Sequence, residues 1–142
     1  MRHRKRLALL ALTVMASAAR GDILPEPDRG PPMGSAGGLD FVVEWAEVAW
    51  QPLNGPHYTK RQQVVVLSGC VEGHPNCQMA RARNLIGMEV RTVDDASLQP
   101  EKGMVRQILD AFARGSRGRT VILELVSRNS NAEPVKVSFA KP

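Results

Sequence analysis

The chain has few of the features that announce a chemistry. Two cysteines, three histidines and six aromatic residues are spread over 142 positions. It contains no Gly-x-Ser-x-Gly elbow, no His-Glu-x-x-His pair and no glycine-rich phosphate loop ending in Gly-Lys. The nucleophile turns, zinc-protease helices and nucleotide cradles that those patterns build are therefore missing. No enzymatic constellation and no cofactor are read from the sequence. Long apolar runs are also lacking: the longest, residues 7–19, has 13 residues, against the roughly 20 that a helix needs to cross a bilayer. No stable membrane anchor is expected.

An excess of one charge is missing once the amino terminus is set apart. Arg2, Arg4, Lys5 and Arg6 precede the apolar run, which ends in small residues, the layout of a secretory signal peptide. Residues 1–21 are read as that leader, with cleavage after Ala18 or Gly21, and the mature protein as periplasmic or secreted. Five of the 19 basic residues lie before Asp22, which leaves 14 to balance the 14 acidic ones. A nucleic-acid partner requires a concentrated cationic surface, and the local candidate, Arg114, Arg117 and Arg119, reads as a solvated turn after a helix. No nucleic-acid binding is expected.

What remains is enough for one domain. Residues 22–37 are dense in proline and glycine and read as a tail or linker, so the domain is placed at 38–142. Leu39–Trp50 is rich in β-branched and aromatic residues and reads as a strand with a bulge, because its alternation is imperfect. Arg61–Leu67 reads as a buried strand, Met88–Val93 as a third. A short helix is expected from Asn76, as its cap, to about Asn84. Between Glu101 and Ala113, Met104, Val105, Ile108, Leu109 and Phe112 recur at helical spacing and form a core-facing stripe. Residues 120–126 and 135–140 alternate like the arms of a hairpin.

In this order the chain resembles a PDZ domain. The likeness starts at "GGLDF", Gly37 to Phe41, which is similar to that family's carboxylate-binding loop leading into a strand. It continues through "VVVLSGCVEG" and "MARARNLIGMEVRTVDD", similar to the family's strand, glycine-containing loop, small-residue helix and third strand, with Asn84 where the family often has glycine. The resemblance implies an α+β fold: a small, partly open β-barrel or sandwich of five to six strands with two helices. It also implies a peptide groove, in which Gly38, Leu39, Asp40, Phe41, Val42 and Val43 form the strand edge and Glu101, Val105 and Ile108 the helical wall. A guest strand adds to such an edge through main-chain hydrogen bonds. Asp40 departs from the family's glycine, and its charge opposes a guest carboxylate by on the order of 1 kcal/mol. No first strand is read before Gly37, so that edge is left open or filled by the carboxy-terminal strand.

Both cysteines fall in one ten-residue stretch, "SGCVEGHPNC". In an exported chain without a third cysteine, the Cys-x6-Cys spacing favours a Cys70–Cys77 disulfide. The competing reading makes Cys70, His74 and Cys77 zinc ligands, with His57 as a fourth. Two functions follow. The first is an exported module that binds a peptide or protein partner by strand addition. The second is a structural or assembly component of the cell envelope whose groove is vestigial.

Overall fold

The computed structural model describes residues 26–50, 53–56, 58–114, 119–128 and 132–141. The expected leader at 1–21, His57 and Arg117 lie outside these residues. The described residues form an α+β fold with seven strands in one antiparallel sheet and two α-helices. Chain order is β1 (Met33–Ala36), β2 (Leu39–Trp50), β3 (Tyr58–Cys70), α1 (Pro75–Ala82), β4 (Glu89–Val93), β5 (Ala96–Ser97), α2 (Met104–Ala113), β6 (Thr120–Val126) and β7 (Val135–Ala140). The sheet runs β1-β2-β3-β4-β6-β7, with β5 paired to β4. It does not close into a barrel, and it holds more strands than the five or six expected.

The extra strands have local causes. β1 and β2 are joined by Gly37 and Gly38 alone, at φ of 58° and 76°. A two-residue connection with both φ positive is the hairpin turn that matches strand twist, and glycine adopts it without a Cβ penalty. So the folded part begins before Leu39, and the edge is filled by Met33–Ala36. β5 closes a tight turn through Asp94 and Asp95, both at positive φ, a conformation that Asp tolerates better than most residues.

Elsewhere the periodic segments form their elements with shifted ends. β2 has the expected bounds, and its bulge falls between Asp40 and Phe41 in the pairing with β3. β3 is longer than its apolar centre because twelve of its residues pair with β2. The helix expected from Glu101 is interrupted. Pro100–Lys102 form a 3-10 turn, and Gly103 at φ 80° separates it from α2. A side chain at Gly103 would meet the Gly30 backbone within 2.8 Å, so two backbones touch there.

α1 is capped by His74 rather than Asn76, because Pro75 takes the first helical position. Its far end is a Schellman turn: Asn84, at φ 54°, donates to Arg81 O, and Leu85 donates to Ala80 O. Asparagine thus supplies the left-handed conformation that glycine would.

The core lies between the sheet and α2. Phe41, Leu67, Val90, Leu123, Leu125 and Phe139 point inward from the strands. Met104, Val105, Ile108 and Phe112 meet them from α2, and Ala80 and Leu85 close one end. The helical stripe read from the sequence is this contact surface, with Leu109 partly buried at its margin.

Candidate peptide-binding groove

The groove implied by the resemblance lies between β2 and α2, and β1 runs along it. Met33, Gly34, Ser35 and Ala36 pair with Val42, Phe41, Asp40 and Leu39. Val43 N–H donates to Pro32 O at 2.8 Å, extending the ladder beyond the strand. The alternation of an antiparallel pair turns the N–H groups of Phe41 and Leu39 toward the same neighbour. The amides assigned to a guest peptide therefore face the chain's own backbone.

The other wall is equally engaged. A Cβ placed on Gly34 would lie 2.9 Å from Val105 Cγ1 and 2.9 Å from Leu109 Cδ1, so β1 sits directly on α2. Its amino-terminal approach is pinned by Asp28. One carboxylate oxygen accepts from Met104 N–H at 2.7 Å and the other from Gly30 N–H at 2.8 Å. Asp28 thus does at 76 residues' separation what a local N-cap does: it satisfies an otherwise orphaned helical N–H and places negative charge at the positive end of α2. Arg29 N–H adds a bond to Pro100 O at 2.9 Å. At the other end, Gly37 packs on the Phe112 ring and Gly38 on the His74 ring, each too close for a Cβ.

Of the residues assigned to the groove, Phe41 and Val105 meet in the core and Ile108 is fully buried beneath. Leu39 is also fully buried, at the turn. Gly38 is half-buried in the turn, Val42 and Val43 are half-buried along β2, and Glu101 is exposed on the 3-10 turn. Asp40 turns its carboxylate to Ser35 Oγ, 2.6 Å away, and its carbonyl accepts from Ser68 Oγ at 3.2 Å. Sequence reasoning missed Asp28 and Gly34. The Gly-Gly pair between an apolar and a polar segment was the available sign of β1, since such a pair marks a hairpin.

The cysteine loop lies at the rim of the groove's far end. Cys70 and Cys77 form a disulfide, with Cα atoms 5.2 Å apart. Both sulfurs are therefore engaged with each other, and His74 Nδ1 accepts from Asn76 N–H at 3.1 Å. The three residues of the zinc reading are held by these bonds. Asn76, the one buried polar residue of the described core, bridges outward from α1 to Gly37 O and to both main-chain groups of Ala140.

Among the described residues, no helix is long and apolar enough to cross a membrane. Compared with models of known families, with characterised proteins and with solved structures, the chain matches none.

Proposed function

We infer that this protein is an exported structural or assembly component of the cell envelope, PDZ-like in arrangement, whose groove is filled from within and takes no peptide tail. The observation that carries this reading is the seating of β1 between β2 and α2. A free peptide at the same place has to break the β1–β2 ladder, the Asp28 cap and the Gly34 contact together. The disulfide supports export, because such bonds persist in oxidising compartments. Asp40 supports the loss of tail binding, since its carboxylate sits beside the loop where a guest carboxylate would arrive.

A peptide-array screen of the mature chain tests the reading. It is expected to return no shared carboxy-terminal motif. An array enriched in one such motif, with binding lost when the peptides are amidated, contradicts it and restores the peptide-tail function.

A further inference from the structure

β3 and β4 part after two residue pairs, Val65 with Val90 and Val66 with Glu89. Beyond them β3 continues along β2, while β4 passes through a bulge at Arg91 and follows β6. A cavity of about 620 Å³ opens between the diverging strands, within the size range of ligand clefts. Gln63 and Val65 form one wall, Val90 and Thr92 the other, and Leu98 and Met104 lie at its base.

The wall formed by β3 is an open strand edge. Leu67 donates to Met88 O at 3.0 Å and accepts from Gly87 N–H at 2.7 Å, so Leu67 turns both main-chain groups toward β4. β3 pairs with β2 without a register shift from Leu67 to Tyr58. Alternation then turns the main-chain groups of Gln63 and Arg61 the same way, and no main-chain hydrogen bond among the described residues engages them. The same stretch of β2 and β3, Glu44–Trp50 with Tyr58–Val64, has no third strand among the described residues. Two-stranded ribbons are marginal in water until a third strand or a helix covers them.

The rim favours a cation. Glu26, Glu89 and Glu124 line the cavity against Lys60 and Arg91. Glu89, its side chain 16% exposed, stands between Val66 and Val126 on the sheet face, and its ion pair with Arg91 Nε is long, at 3.8 Å, beyond hydrogen-bond reach. Burial raises its carboxyl above the ordinary glutamate range, with Arg91 and Arg128 acting in the opposite direction.

We propose that this cleft accepts a third strand: an extended segment of a partner protein, about three to four residues deep, that hydrogen-bonds to Arg61 and Gln63 and sets a lysine or arginine against Glu89. The site is separate from the β2–α2 groove and does not depend on how that groove is read. The main-chain ladder supplies attachment, and the cation supplies selectivity.

Amide hydrogen exchange on the full chain tests this with two acetylated and amidated probes, Thr-Val-Thr-Lys-Thr-Val-Thr and its glutamate-centred counterpart. The lysine probe is expected to slow exchange at Arg61 and Gln63 by about tenfold or more, while Gln62 and Val64, which face β2, stay unchanged. The glutamate probe is expected to bind about tenfold more weakly, about 1.4 kcal/mol, and Glu89→Gln to narrow that gap. If neither amide slows at millimolar probe, or if Phe41 and Val43 slow instead, the proposal is overturned. Equal affinity for the two probes overturns the role of Glu89.

Discussion

Asn76 and Ala140 exchange two hydrogen bonds, Nδ2 to O at 2.8 Å and N to Oδ1 at 3.0 Å, across 64 positions of sequence. A third bond from the same amide, to Gly37 O at 2.8 Å, reaches the turn between β1 and β2. β1 and β7 are the two ends of the sheet, so one side chain spans the gap that strand pairing leaves. Asn76 itself is 2% exposed, and removal of its side chain breaks three part-buried hydrogen bonds, each worth about 0.5–1.5 kcal/mol net.

Asn76→Ala is therefore expected to lower unfolding free energy by about 2–4 kcal/mol, measured by urea denaturation. Asn76→Asp keeps the acceptor for Ala140 N–H but sets a carboxylate against two carbonyl oxygens. It is expected to cost at least as much at neutral pH. An alanine variant as stable as the parent contradicts the bridge.

The disulfide gives a second expectation. It closes a loop of about eight residues, which stabilises by at most about 2.5 kcal/mol in the chain-entropy model. The purified oxidised protein is expected to show no free thiol under denaturing conditions, and its melting temperature to fall on reduction. Two titratable thiols in protein purified without reductant contradict it.

Gly34 tests the packing of β1. In Gly34→Val the new side chain meets Val105 and Leu109 inside contact distance, and such overpacking costs about 1–3 kcal/mol. β1 is expected to lift from α2, with faster amide exchange at Val43 and little change at Val121 and Leu123 in β6. A variant with unchanged exchange at Val43 places β1 more loosely on the helix than the geometry implies.

These contacts show what could be read in advance. The alternation in β6 and β7 and the stripe on α2 are legible because their side chains meet the core in a regular order, and β2 is legible by its β-branched and aromatic content. β1 is not: Met33 is 65% exposed, the other three residues are small, and the neighbours are proline and glycine. Its order comes from the Gly37–Gly38 turn and from Asp28, whose partner Met104 is remote in sequence. The same pair of glycines that the resemblance assigns to a ligand loop makes the turn that brings β1 into the groove. Asn76 was legible as a polar residue near a helix start, but its three partners are set by tertiary packing.

Glu89 carries a pH expectation. Its carboxyl is raised in the folded state, mainly by burial, so the native state binds the proton more tightly than the unfolded chain does. Stability from this group is full below the ordinary glutamate pKa of about 4.3 and is lost as pH rises through the raised native value. Glu89→Gln is expected to flatten that decline and to be at least as stable as the parent at pH 7, with the advantage gone at pH 3.5. Melting temperatures across that range check the sign. A glutamine variant that loses ground as pH rises contradicts it.

Whether β1 holds the groove is decided most directly by hydrogen exchange at the Val43 amide, whose one partner here is Pro32 O. In the intact chain this amide is expected to exchange slowly, and an excess of free carboxy-terminal peptides to leave its rate unchanged. Exchange at the rate of an unpaired edge, slowed on addition of such a peptide, would show an open groove and contradict occupation by β1.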